Sequence, residues 1–183
     1  MTVKHVLRYV QRTLDHKLTY SKSEEGLVVT GYSDSDWASS KDDRRSTTGY
    51  CFGLNSTGPM ISWKSKKQQT VALSSCEAEY MALTAATQES IFITNLAKEF
   101  GIDSQSPTRI FGDNQGSISL VKNPVNHEKS KHIDIKHHFI REKFVNGVID
   151  VVYIPTDDNI ADLMTKPATK MKLDRFSTLM FGR

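Results

Sequence analysis

Four acidic side chains, Asp34, Glu79, Asp113 and Asp162, fall at the ends of expected strands and helices, where an active site built on a sheet tends to lie. Carboxylates drawn together repel one another, and a protein tolerates that when divalent cations offset the charge. Mg²⁺ takes oxygen ligands in an octahedral shell and keeps part of its water. Two such ions about 4 Å apart activate a water and stabilise the leaving oxygen in phosphodiester hydrolysis. With 21 Asp and Glu in the chain, acidity alone selects nothing, so position has to do the selecting. Ser74 and Glu77 have the spacing of a helix capping box, which gives Glu77 a structural task. Glu77 and Glu79 lie about 200° apart on a helix and cannot both face one site. Glu79 is left for chemistry. Asp34 and Asp36 share one face of a strand, and spacing does not separate them.

The elements that must position these groups are legible in the patterning. Val3, Val6, Leu7, Val10 and Leu14 predict an amphipathic helix over 2–15. Strands are expected at 27–32, 48–54 and 60–63, divided by turn chemistry such as Asn55-Ser56-Thr57-Gly58-Pro59. A long helix follows over 75–100, with Gly101 as its stop. Next come a strand at 108–112, a helix at 115–122, a helix at 131–146 stopped by Gly147, a strand at 148–154 and a last helix at 158–166. Strands and helices so mixed predict an α/β sheet covered by helices. The crossover helix makes strands three and four parallel beside an antiparallel meander of the first three. Trp37, Tyr50, Phe52 and Trp63 are expected as core and strand packing.

Composition bounds the class. Hydrophobic residues at 38% and charged residues at 25% give a globular chain of 183 residues, and no apolar run is long enough to span a bilayer. No signal-peptide core opens the sequence. Cys51 and Cys76 stand apart and read as reduced thiols rather than a disulfide or zinc pair. Net charge is only +3, but 122–143 holds six Lys or Arg against three acids, a stripe able to hold a polyanion or simply a solvated helix face. His127, His132, His137 and His138 miss the spacing of a helical zinc pair; one of them could assist proton transfer, and surface or packing roles suit the rest. Trp63-Lys64-Ser65-Lys66-Lys67-Gln68-Gln69 suits either a phosphate backbone or a strand edge kept soluble by lysines.

Seven runs then carry a family resemblance. They are Gly31-Tyr32-Ser33-Asp34-Ser35-Asp36-Trp37, Ser46-Thr47-Thr48-Gly49-Tyr50, Ser62-Trp63-Lys64-Ser65-Lys66-Lys67-Gln68 and Leu73-Ser74-Ser75-Cys76-Glu77-Ala78-Glu79-Tyr80. Asp113-Asn114-Gln115 follows, then Lys131-His132-Ile133-Asp134-Ile135 with His138-Phe139-Ile140-Arg141-Glu142, and finally Ala161-Asp162-Leu163-Met164-Thr165-Lys166-Pro167. Together they resemble the ribonuclease H domain of copia-type LTR-retrotransposon Pol polyproteins. The resemblance implies a ribonuclease H-like fold, with a five-stranded mixed sheet of antiparallel strands 1–3 followed by parallel strands. It also implies two Mg²⁺ ions, or Mn²⁺, on Asp34, Glu79, Asp113 and Asp162, and it is the resemblance that chooses Asp34 over Asp36. Asp34 would bridge the two ions, Glu79 and Asp113 would complete the first site, and Asp162 would hold the second.

The implied reaction is hydrolysis of the RNA strand of RNA–DNA hybrids to 5′-phosphate and 3′-hydroxyl ends. Ser35, Ser75 and Asn114 are candidate readers of the 2′-hydroxyl, and Lys64, Lys66, Lys67 and Gln68 candidate backbone contacts. The implied partner is the reverse transcriptase of the same polyprotein, whose tail 1–25 resembles, ahead of a ribonuclease H domain at 26–168 and a tail at 169–183. A cytoplasmic virus-like particle, or the nucleus, is the implied location. Two rivals are an integrase-type strand transferase and a non-catalytic hybrid-binding domain. The first needs Asp, Asp and then Glu about 35 residues on, whereas only Asp150 follows Asp113 in that stretch. Four filled carboxylate positions weigh against the second.

Overall fold

The computed structural model describes residues 3–21, 27–55, 58–104, 107–123 and 131–182, without the side chains of 131–137. Helix α1 (Val3–Arg12) opens the chain, three strands follow as β1 (Val29–Asp36), β2 (Thr47–Leu54) and β3 (Met60–Lys67), and helix α2 (Ser75–Glu99) crosses over to β4 (Thr108–Gly112). Helices α3 (Gln115–Lys122) and α4 (Lys131–Val145) lead to β5 (Ile149–Tyr153). Two 3-10 turns, Thr156–Asp158 and Ile160–Met164, precede helix α5 (Lys170–Phe181).

The strands form one sheet in the order β3-β2-β1-β4-β5. β1–β2 and β2–β3 are antiparallel, and β1–β4 and β4–β5 are parallel. The crossover therefore carries β4 past β3 and β2 to lie beside β1. Strands three and four run in the same direction, as expected, but they are not neighbours.

Alternation along the strands sends side chains to two cores. On one face Val29, Tyr50, Phe52, Ile110 and Val151 pack with Tyr80 and Leu83 of α2. On the other, Cys51 and Met60 pack with Ile160, Ala161 and Phe176. Removing a side chain as buried as Leu83 costs about 2–5 kcal/mol in such a core. α2 starts as its cap residues dictate: the Ser74 hydroxyl accepts from the Glu77 N–H at 3.2 Å, and the Glu77 carboxylate accepts from the Leu73 N–H at 2.8 Å. It ends where Gly101 takes φ +70°, letting the Ile102 N–H reach back to Ala97 O.

Several boundaries differ from expectation, for identifiable reasons. β1 runs on through Asp36 because its antiparallel ladder with β2 continues that far, so polar Ser33 and Ser35 are carried by that ladder although pairing with β4 stops at Tyr32. β3 extends to Lys67 as an edge strand whose lysines face water, a pattern that apolar periodicity does not register. The helix expected at 158–166 is two 3-10 turns, divided at Asn159 in an extended conformation. Asn159 is fully buried; its amide donates to Ser33 O at 2.9 Å and its Oδ1 accepts from the Ala161 N–H at 3.2 Å. The stretch read only as a tail holds α5, which buries Phe176. Trp37 and Trp63, expected in the core, are 48% and 56% exposed, and Trp37 is held by a hydrogen bond from Nε1 to Ala72 O. Tyr50 and Phe52 are buried as expected. Among the described residues no helix is long and apolar enough to cross a membrane.

Candidate metal centre

Asp34 lies within the central strand β1, opposite Gly49 of β2. Gly49 lets the chain after the second 3-10 turn approach closely: a Cβ there would sit 2.6 Å from Thr165 Cγ2 and 2.8 Å from Met164 Cβ. Through that approach the Thr165 hydroxyl donates to Asp34 Oδ2. Glu79, near the start of α2, reaches β1 from the opposite face of the sheet, where its Oε1 accepts from the Ser35 N–H at 3.1 Å. Asp113 follows β4 directly, and Asn114 beside it caps α3 by accepting from the Ser117 N–H. One carboxylate oxygen from each of Asp34, Glu79 and Asp113 lies within 4.8 Å of the others.

Asp162, on the second 3-10 turn, stands outside that group but is joined to it by a lysine. Lys166 Nζ is 2.6 Å from Asp162 Oδ1 and 3.7 Å from Asp34 Oδ2, and Lys172 of α5 ion-pairs with Asp162 Oδ2. Burial, and then the neighbouring Asp34 and Asp113, push Glu79 up to about 8. Burial likewise raises Asp34, against the Thr165 hydrogen bond and the Lys166 charge. For Asp162 burial acts in the same upward direction, but Lys166 and Lys172 outweigh it and hold the group below its ordinary value. The trio is thus a set of all-oxygen donors whose crowding disfavours full ionisation until a cation offsets the charge, a chemistry that suits Mg²⁺ or Mn²⁺.

Of the sequence-predicted nucleic-acid contacts, the fold gathers Lys64, Lys66, Lys67 and Gln68 along one groove. Lys64 and Lys66 are exposed and, with Lys67 and Gln68, line this groove of about 450 Å³ between β3 and α2. Lys67 is exposed too but ion-pairs with Asp43 at 3.0 Å. Gln68 is buried, its amide committed to Thr48 Oγ1 and Ala78 O, so it ties β3 to α2 rather than facing a ligand. Ser35 is also buried, and its backbone N–H serves Glu79. Ser75 is exposed and Asn114 half-buried. His127 lies outside the described residues, as do the side chains of His132 and His137; His138 is exposed on α4. Neither Cys51 nor Cys76 forms a disulfide. Sequence reasoning missed Asn159, Thr165, Lys166 and Lys172 as supports of the site, and Glu89, which accepts from Tyr50 Oη at 2.9 Å and Ser62 Oγ at 2.6 Å.

Comparison with known proteins gives a consistent picture. No family model matches the chain. It is 41% identical over 175 residues to the retrovirus-related Pol polyprotein from transposon RE2 of Arabidopsis thaliana, covering 96% of this chain and 12% of that protein. It is 38% identical over 172 residues to the corresponding polyprotein from transposon TNT 1-94 of Nicotiana tabacum, covering 94% of this chain and 13% of that protein. The chain thus spans about an eighth of the length of these relatives. Among solved structures it is similar to LC11-RNase H1 in complex with an RNA/DNA hybrid, at TM-score 0.54 and 17% identity, covering 75% of this chain and 93% of that one.

Proposed function

Because this chain belongs to the Pol family of copia-type retrotransposons and has the ribonuclease H fold, we propose that it is an endonuclease that hydrolyses the RNA strand of RNA–DNA hybrids with divalent cations. The observation that carries this reading is the convergence of Asp34, Glu79 and Asp113 within 4.8 Å, from β1, α2 and the end of β4.

A divalent cation bound there supplies Lewis acidity that makes water nucleophilic at neutral pH and offsets charge on the phosphate. The chain's own residues do the rest. Asp34 is fixed by Thr165 and Glu79 by the Ser35 amide, so both carboxylates are oriented before any ligand arrives. Asp162 faces Asp34 across Lys166, and in this reading these two residues would hold a second cation. Hydrolysis in this arrangement leaves 5′-phosphate and 3′-hydroxyl ends. In this reading the exposed Lys64 and Lys66 follow a phosphate backbone, and Ser75 and Asn114 remain the candidates for the 2′-hydroxyl that distinguishes RNA. Within a Pol polyprotein the natural partner is the reverse transcriptase that produces the hybrid, in a cytoplasmic virus-like particle or the nucleus.

Incubation with an end-labelled RNA–DNA hybrid, in Mg²⁺ and in chelator, tests the reading. RNA-strand cleavage only with the cation, with duplex DNA left intact, is the expected result. Cleavage that persists in chelator, or no cleavage in Mg²⁺ or in Mn²⁺ substituted for it, would overturn it.

A further inference from the structure

Two lysines, rather than the other carboxylates, hold Asp162. Lys166 places its ammonium against Asp162 Oδ1 and toward Asp34 Oδ2, the pair of oxygens that a cation shared by these two residues would need. Lys172 meets the other Asp162 oxygen, outside that gap. The two lysines also differ in freedom. The Lys166 side chain is 37% exposed and has solvent to retreat into, whereas Lys172 is 21% exposed and rides on α5, which is anchored by the buried Phe176. A monovalent ammonium and a divalent ion repel, and both cannot occupy one gap.

Resting on the reading above, we propose that Lys166 occupies the place of the second divalent cation and that this cation binds only by displacing it. Lys172 stays and keeps Asp162 aimed at the gap. The first cation, among Asp34, Glu79 and Asp113, does not require Asp162 to change partner. The two ions therefore bind in a fixed order, and Lys166 sets the cation concentration at which the second arrives. If the ammonium leaves the gap about a tenth of the time, it weakens the second ion about tenfold.

Mn²⁺ binding to the full chain, followed by the loss of the free-ion electron paramagnetic resonance signal, tests this without reference to cleavage. It is measured for the chain alone and with a hybrid whose RNA strand is 2′-O-methylated and resists hydrolysis. With that hybrid, Lys166→Met and Lys166→Gln should tighten the second ion about tenfold and leave the first unchanged. Lys166→Arg should keep the second ion as weak as in the parent. Lys172→Met removes the same charge from the same carboxylate but not from the gap, and should move the second ion less than about threefold. Thermal melts establish that each variant is folded. Identical second-ion affinity in the parent and in both neutral Lys166 variants would overturn the inference, as would equal shifts from Lys166→Met and Lys172→Met. In both cases binding of the first ion leaves the cation site itself standing. Absence of Mn²⁺ binding by any form at millimolar concentration would instead overturn that site together with the inference.

Discussion

The Ser35 N–H donates to Glu79 Oε1 at 3.1 Å, tying the central strand to the first turns of α2 at a carboxylate that is only 7% exposed. Burial there, with Asp34 and Asp113 beside it, raises Glu79 to about 8. Its folded value therefore lies above its unfolded one, so the folded state holds a proton that the unfolded state has lost between roughly pH 4.3 and 8. The stability that this proton supports is lost as pH rises through that window. In chelator, Glu79→Gln should melt about 2–4 °C above the parent at pH 8–9, with the gap closing toward pH 4, while cleavage is abolished. Parallel melting curves for the two proteins across pH 4–9 would contradict this.

The same shift couples cation binding to protons. A ligand carboxylate must be deprotonated to bind a cation, so binding at pH 7 should release close to one proton, falling toward none at pH 9. Calorimetric titration with Mg²⁺ in buffers of different ionisation enthalpy reads that number directly. Equal release at both pH values would place the proton elsewhere.

Asp34→Asn should lower hybrid cleavage roughly a hundredfold or more while the protein still melts cooperatively. The amide can still accept from the Thr165 hydroxyl but brings no negative charge to a cation. Cleavage at the parent rate would remove Asp34 from the metal centre.

Gly49→Ala should damage the site without touching an acidic residue. The new methyl would lie 2.6 Å from Thr165 Cγ2 and force the segment that carries Thr165 and Lys166 away from Asp34. Overpacking of this kind costs about 1–3 kcal/mol. A fall in both melting temperature and cleavage rate is expected, against a smaller thermal effect for Thr165→Ala; an unaltered Gly49→Ala enzyme would show that the close approach is dispensable.

Lys64, Lys66 and Lys67 all line the groove beside α2, and Lys67 is in addition engaged by Asp43. Neutralising Lys64 and Lys66 should each reduce the salt dependence of hybrid binding by about one phosphate contact, and Lys67 by less. Fluorescence anisotropy over a salt series measures the slopes. Slopes that do not change would leave these lysines as protection for an edge strand.

What the sequence disclosed about the site followed from local physics. The capping pattern at Ser74 and Glu77 removed one glutamate and left Glu79; in the structure Glu77 caps α2, and Glu79 lies with Asp34 and Asp113. Helix ends at Gly101 and Gly147 were equally plain, because a positive φ favours glycine. Partnerships made by chain segments far apart were not visible. Gln68 sits in a lysine-rich run that suggests a surface contact, yet register with β2 turns it inward against Thr48 and Ala78. Lys172 has no periodic signal to connect it with Asp162; only the packing of Phe176 beneath α5 brings the two together. Asn159 reads as one polar residue in a helical stretch until burial shows it bonded to Ser33.

The antiparallel strands β1–β3 and the parallel pair β4–β5 meet along a single seam, the register of Thr30, Gly31 and Tyr32 with Arg109, Ile110 and Phe111. Asp34 and Asp113 belong to opposite sides of it, so neither half of the sheet owns a complete chelate. In the proposed reading cation affinity would be a property of the paired halves, and a bound ion would stabilise that state by mass action without favouring either half alone. Joining strands so distant in sequence is also the slow part of folding such a topology. A molecule in which β1 and β4 have not yet paired therefore carries the three acids but not the cluster they form.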